Sequence, residues 1–147
     1  MSNINHFVEK IAGDWIGSEK MIVDPASGQE MTTEATLSNV SMFGGSGFAS
    51  DYAQSSEGVE TFRCVTQFRF GADDQLSAIW IPSEGDHQVF RGKREGMVIE
   101  MASESEDGSI QTIKTDYSGK DEFSTTTTVT VPGGPTMTVF ESTYRRA

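Results

Sequence analysis

Residues 60–70 read ETFRCVTQFRF, a stretch in which apolar and polar side chains alternate. One face of this extended chain is apolar and carries Phe62, Cys64, Phe68 and Phe70. The opposite face is polar and carries Arg63, Gln67 and Arg69. A period of two residues is typical of a β-strand with one face in the core and the other in water. This stretch therefore predicts one strand of a β-sheet protein.

The rest of the chain repeats this pattern between frequent turns rich in glycine, proline and aspartate. We predict ten strands, at residues 14–23, 32–42, 47–55, 59–70, 75–82, 86–93, 96–104, 109–117, 121–131 and 136–146. The connections between them are too short for crossover helices, which makes the strands antiparallel. A sheet of ten strands hides its edges by closing into a barrel, and such a barrel can hold one small ligand.

The only helix that the sequence predicts is short and lies at residues 3–11, where apolar residues recur at helical spacing. We expect its apolar face to cap one open end of the barrel. Residues 1–147 are expected to form a single barrel domain, because the length suits one domain and no linker divides the chain.

Composition disfavours several classes of function and location. Eleven basic and twenty-two acidic residues give a net charge of -11, which disfavours general nucleic-acid binding and docking on anionic membranes. Cys64 is the only cysteine, so no intramolecular disulfide forms, and we expect a buried, inert thiol. The sequence shows neither a signal-peptide pattern nor an apolar run of about 20 residues. We therefore predict a cytoplasmic protein.

Short motifs in the chain resemble those of the calycins, the superfamily of lipocalins and fatty-acid-binding proteins. These are Gly13-Asp14-Trp15-Ile16-Gly17, Gly44-Gly45, Phe48 with Tyr52, Ile79-Trp80-Ile81 and Tyr144-Arg145-Arg146. Their order is most similar to that of a bacterial group of uncharacterised calycin-like domains. The resemblance implies an up-and-down barrel that binds small molecules, with Arg145 or Arg146 packed over Trp15. Only residues 24–31 separate the first two strands, so the helical lid of fatty-acid carriers has no counterpart.

Large apolar and aromatic side chains are numerous enough either to line a cavity or to fill a solid core. For the cavity we predict a small apolar or amphipathic ligand, held by Tyr52, Phe68, Trp80, Phe90, Met101 and Tyr117. Arg63 or Arg69 would bind a carboxylate end of this ligand if their face of the strand points inward. Strand periodicity alone does not determine which face is inside.

Two alternatives to simple binding stay open. The first is a small-molecule lyase or isomerase that uses a barrel carboxylate, with candidates Glu19, Asp51, Tyr52 and Glu141. An interior carboxylate within hydrogen-bond reach of a tyrosine, both facing a cavity, would favour this enzyme. The second is an interaction module that forms a homodimer, which a sealed interior and a continuous apolar outer face would favour.

Metal and cofactor chemistry find little support in the sequence. His6 and His87 are the only histidines, and zinc needs three or four ligands, so we expect no metal site. His87 follows a turn and is expected to face solvent, which disfavours haem ligation. We predict no resident cofactor.

Overall fold

In the part of the chain that the structure describes, ten antiparallel strands close into one barrel, and one short α-helix precedes them. The computed structural model describes residues 4–24 and 26–147. The helix is α1 (Ile4–Ile11), and the strands are β1 (Gly13–Asp24), β2 (Gln29–Met42), β3 (Gly47–Ser56), β4 (Val59–Phe70), β5 (Gln75–Pro82), β6 (Gln88–Glu95), β7 (Val98–Glu104), β8 (Ile110–Asp116), β9 (Glu122–Thr130) and β10 (Thr136–Arg146). The predicted fold class and strand order are confirmed. The predicted helix also included residue 3, which lies outside the described residues.

Every strand pairs with its neighbours in sequence, and β1 closes the barrel by pairing with β10. At this seam Trp15 lies opposite Arg146, and Glu19 lies opposite Ser142. In β4 the apolar face points inward, because Phe68 and Phe70 are buried whereas Arg69 is exposed. The same alternation in β1 places Glu19 on the inner face.

The helix α1 closes one end of the barrel, as its apolar face predicted. Its buried residues are Ile4, Phe7, Val8 and Ile11. The Phe7 ring meets Phe70 and Tyr117 edge-on, with ring centroids 5.7 Å and 5.5 Å away. Edge-to-face contacts of this kind add to the stabilisation from burial. The helix is therefore part of the hydrophobic core.

Arg146 ties the last strand to this helix. Its guanidinium lies 3.9 Å from the centre of the Trp15 ring and donates hydrogen bonds to the carbonyls of Lys10 and Ala12. The Trp15 indole in turn donates to the carbonyl of Ile11 at 3.0 Å. Arg146 is thus the arginine that packs over Trp15, and Arg145 is exposed.

A side chain at position 17 would collide with Tyr144, so glycine is required where the first and last strands pair. Gly17 lies opposite Tyr144 in the β1–β10 pair, and a Cβ atom at this position would stand 2.4 Å from the Tyr144 ring. The missing side chain lets that ring lie flat on β1. The hydroxyl of Tyr144 can then reach Glu19, at 3.0 Å.

Candidate functional site

A cavity of about 580 Å³ occupies the barrel on the far side of the helix. Its deep end is lined by buried residues such as Phe90, Tyr117 and Phe123. Its outer end is lined by half-buried residues, namely Met21, Phe62, Gln88, Gln111 and Phe140. The outer end opens among five hairpin turns, which we call the mouth and define as residues 24, 26–30, 56–60, 82–88, 104–110 and 130–136.

The walls of the cavity differ in chemistry. Strands β3 to β6 supply an aromatic wall, made of Tyr52, Phe62, Phe68, Trp80 and Phe90. Within it Phe62 and Trp80 stack, with ring centroids 5.9 Å apart and planes tilted by 20°. Strands β8 to β10 supply a second wall, in which the hydroxyl groups of Thr115, Thr125, Thr127 and Ser142 lie beside aromatic rings such as Phe123 and Tyr144; we call it the hydroxyl wall. A planar molecule between these walls would meet ring faces on one side, and both rings and hydrogen-bonding groups on the other.

All six apolar residues that the sequence proposed as ligand contacts line this cavity: Tyr52, Phe68, Trp80, Phe90, Met101 and Tyr117. The structure brings them together in one space, and their role in binding stays a prediction.

The two arginines proposed as anchors for a ligand carboxylate are not in the cavity. Arg63 lies on the outer surface, where its guanidinium is 3.3 Å from the Glu60 carboxylate. Arg69 is also outside, with its guanidinium 5.9 Å from the centre of the Phe43 ring. The prediction that either one meets a ligand inside the barrel is wrong, because alternation along β4 turns its polar face to water.

Glu19 is the charged side chain that does reach the interior. Its Oε1 accepts hydrogen bonds from Thr33 Oγ1 at 2.9 Å and Gln54 Nε2 at 3.3 Å. Its Oε2 accepts from the Tyr52 hydroxyl at 2.7 Å and the Tyr144 hydroxyl at 3.0 Å. The donors come from β2, β3 and β10, so this network joins four strands around the seam. Only 1 % of the Glu19 surface is exposed.

All the groups that donate hydrogen bonds to the Glu19 carboxylate are neutral. Among the described residues that line the cavity there is no lysine, arginine or histidine. Four donors match the acceptor capacity of a carboxylate, which carries about four lone-pair sites. Burial, and next the charge of Glu19, raise the pKa values of Tyr52 and Tyr144, so both hydroxyls stay protonated and can donate at neutral pH.

Ser142 leaves an open position in this polar region. It faces Glu19 across the β1–β10 pair, lines the cavity and is 6 % exposed. Among the described residues its Oγ has no hydrogen-bond partner at full geometry, although its hydroxyl lies close enough to that of Tyr144 to act on the pKa of that tyrosine. A buried hydroxyl without a well-formed hydrogen bond costs stability, so a polar group of a ligand that reached it would be stabilised.

The structure separates the four residues proposed for proton transfer. Glu19 and Tyr52 are hydrogen-bonded inside the barrel, whereas Asp51 and Glu141 are exposed on the outside. Alternation along the first strand groups Glu19 with Trp15 and Gly17 on one face, but nothing in the sequence pointed to Thr33, Gln54 and Ser142. Tyr144 was noticed only as part of the closing motif. Nothing local in the sequence signals that these residues meet around one carboxylate.

The remaining candidates are plainly placed. Cys64 is buried against the cavity, and burial raises the pKa of its thiol to about 11, so the thiol form dominates at neutral pH. His87 is exposed at the mouth, as predicted. In residues 4–24 and 26–147 no cluster of three or more His, Cys, Asp and Glu side chains could hold a metal ion. No helix among the same residues is long and apolar enough to span a membrane.

The outer wall carries an apolar patch on β5 and β6, where Ile79, Ile81 and Val89 are each about 40 % exposed. The interior behind this patch contains a cavity. Of the two features that would favour a dimerising module, an apolar outer face and a sealed interior, the structure therefore has only the first. A homodimer stays a prediction.

Comparison with known proteins identifies structures with a similar fold. No family description and no curated protein matches this chain in sequence. Among solved structures, Rv2717c from M. tuberculosis is similar with a TM-score of 0.71 at 12% identity, over 100% of this chain and 99% of that one. The S-type phycobiliprotein lyase CPES from Guillardia theta is similar with a TM-score of 0.68 at 10% identity, over 100% of this chain and 93% of that one. The likeness establishes a ten-stranded calycin-like barrel, and membership of the bacterial group suggested by the motifs stays a prediction.

Proposed function

We propose that this protein binds a small amphipathic molecule, largely apolar and with one polar edge, inside its barrel. The observation that carries the proposal is the cavity of about 580 Å³ between an aromatic wall and a hydroxyl wall. Ligand pockets in proteins typically measure about 300–1,000 Å³ and combine apolar lining with a few polar groups. A barrel that served only as a packed scaffold would have filled this space with larger side chains.

The solved relatives support the proposal at the level of the fold. One of them is by name a lyase for phycobiliproteins, so a barrel of this shape can belong to an enzyme. Function does not follow from fold, so the proposed function of this chain rests on its own cavity.

The test uses a fluorescent apolar probe, N-phenyl-1-naphthylamine, whose emission rises on entering an apolar site. We expect saturable binding of one probe per chain. The variant Thr127→Phe places a ring on the buried hydroxyl wall and should weaken binding at least tenfold. Thr126→Phe is the matched control, because the next residue on β9 points away from the cavity. Equal binding by both variants, or no saturable binding to the wild type, would overturn the proposal.

A second candidate, a lyase or isomerase, is favoured by one observation. The Tyr52 hydroxyl and the Glu19 carboxylate form a 2.7 Å pair on the cavity wall, and a tyrosine–carboxylate pair can transfer protons. Donors already occupy both oxygens of Glu19, so Tyr52 must rotate away before a substrate proton reaches them. For this reason binding ranks first.

The two candidates can be separated with Glu19→Gln. A cell extract of small molecules would be incubated with wild type or variant and compared by mass spectrometry. An enzyme should convert compounds in the wild-type sample that the variant leaves unchanged, whereas a binding protein should change none.

A further inference from the structure

The mouth of the barrel is acidic on every side but one. Its five segments contain nine acidic residues and no lysine or arginine. The acidic residues are Asp24, Glu30, Glu57, Glu60, Glu84, Asp86, Glu104, Glu106 and Asp107. Within the described residues only Glu30 and Glu60 have a basic partner, Lys20 at 3.7 Å and Arg63 at 3.3 Å. The other seven carboxylates at the entrance therefore have no basic side chain within 4.0 Å in the part of the chain that the structure describes.

Two of these carboxylates are held in the ionised form by their own turns. Hydrogen bonds from Ser27 and Ala26 lower the pKa of Asp24, and hydrogen bonds from Ser109 lower the pKa of Asp107. A ring of like charges around a low-dielectric opening focuses a negative potential into it. Cations are attracted into such an opening and anions are repelled.

The interior carries the same sign of charge. Glu19 is the one charged group lining the cavity among the described residues, and only neutral donors surround it. The buried Arg94 is at the closed end, over the Phe7 ring. It is already engaged by the Asp74 carboxylate at 2.9 Å and the Gly96 carbonyl at 2.7 Å. Among the described residues that line the cavity, no cation is available to meet an anionic ligand.

The hydroxyl of Ser142 points to where a ligand's polar group would sit. It is buried, has no hydrogen bond of full geometry among the described residues beyond its approach to Tyr144, and stands directly across the strand pair from Glu19. A protonated amine at this point would donate to Ser142 Oγ while lying in the field of the Glu19 carboxylate.

We infer that the ligand is a cationic amphiphile, an apolar or aromatic body that carries a protonated nitrogen, and that the barrel discriminates against carboxylates such as fatty acids. This inference rests on the proposed function, since it assigns a charge class to the molecule in the same cavity. Arginines facing the cavity would have favoured an anionic ligand, so the ligand charge inferred here is the opposite one.

Three ligands with the same chain test the inference: decylamine, 1-decanol and decanoate. Each would compete with N-phenyl-1-naphthylamine for the wild-type protein at low ionic strength. We expect decylamine to bind at least tenfold more tightly than decanoate, with decanol between them, and the gap to narrow in 0.5 M salt as charges are screened. If the probe binds but all three compete equally, or decanoate competes best, the charge inference is wrong while the proposed function stands. If the probe itself does not bind, the proposed function fails first.

Matched variants locate the source of the preference. The triple change E84Q/E104Q/E106Q at the mouth and the triple change E9Q/E95Q/E122Q near the helix alter the net charge equally, and all six residues are exposed. The first should weaken decylamine binding about threefold to tenfold at low salt, and the second should leave it unchanged, because charge interactions fall with distance. Equal effects of the two triples would overturn the role of the mouth.

Ser142→Ala tests the inner contact without removing a charge. Its hydroxyl makes no hydrogen bond of full geometry with the described residues, so the variant is expected to fold. We expect weaker binding of decylamine and unchanged binding of the apolar probe. Unchanged binding of both would remove Ser142 from the site.

Discussion

The two ends of this barrel are built in opposite ways. At the closed end the rings of Phe7, Phe70 and Tyr117 meet edge-on, and Arg146 and Arg94 bond to carbonyls or a carboxylate. At the open end half-buried side chains surround the cavity. A packed end that holds the fold together permits the other end to stay hollow, because stability need not be spread evenly through a structure.

Charge follows the same division. Residues at the closed end, taken as 9–14, 69–74, 93–96, 116–122 and 145–146, include seven basic and eight acidic side chains. The mouth has nine acidic side chains and no lysine or arginine. The net charge of -11 is therefore concentrated around the entrance, where it acts on what enters rather than on how the chain folds.

The largest expected effect tests whether the closed end carries the stability. Phe7→Ala should lower the free energy of unfolding by about 4 kcal/mol, because it removes a ring packed among three others. Phe62→Ala, at the half-buried edge of the cavity, should cost about 1 kcal/mol. Urea denaturation of both variants gives the comparison. Equal losses would mean that the two ends are packed alike.

The next effect concerns the polar network of the hollow half. Glu19→Ala removes the acceptor for three hydroxyls and an amide, so we expect a loss of about 3 kcal/mol. Glu141→Ala removes an exposed carboxylate from β10 and should change stability by less than about 0.5 kcal/mol. If the two losses were the same, the Glu19 network would contribute nothing to closing the seam.

Arg146 should have a smaller effect than Glu19, because part of it is reached by water. Arg146→Ala removes the contact over Trp15 and two hydrogen bonds to helix-end carbonyls, with an expected loss of about 2 kcal/mol. Its neighbour Arg145 is exposed, so Arg145→Ala is the control and should be nearly neutral. Thermal unfolding followed by circular dichroism would rank the two variants.

A further effect on stability is expected from alkaline titration of the cavity wall. The folded pKa of Cys64, about 11, exceeds its ordinary value of 9.0, and burial also raises the pKa of Tyr52 and of Tyr144. The folded state then holds protons that the unfolded state loses, so this contribution is complete below about pH 9 and declines as pH rises toward 11. Urea midpoints at pH 8 and pH 10.5 should show the decline, and Cys64→Ser should reduce it.

The same thiol provides a kinetic test. At pH 8 a pKa of about 11 leaves roughly 100-fold less thiolate than a value of 9.0. Iodoacetamide should therefore modify Cys64 at least 100-fold more slowly in the folded protein than in urea. Equal rates would show that the cavity wall opens freely.

Local sequence patterns were sufficient for the strands and the helix. Alternation and turn residues act over a few neighbours, which explains why all ten predicted strands overlap the observed ones. The errors are in the strand ends at hairpins. Glu95, for example, was predicted to lie in the turn between β6 and β7, but it is the last residue of β6 and pairs with Val98. The local sequence fits either a two-residue turn at Gly96 and Met97 or a wider turn. Only the register in which β6 pairs with β7 decides between them.

Only the tertiary structure decided which faces point inward and what they enclose. The sequence by itself determined that Arg63 and Arg69 share one face of β4 and that Glu19 shares a face with Trp15. Closure of β1 on β10 then put the arginines in water and the glutamate inside, beside Tyr144, which is 125 residues away in the chain. A shift of one residue in strand pairing would exchange the two faces, and neither register nor cavity volume can be read from neighbours in sequence. The physical reason is that both depend on how distant strands meet.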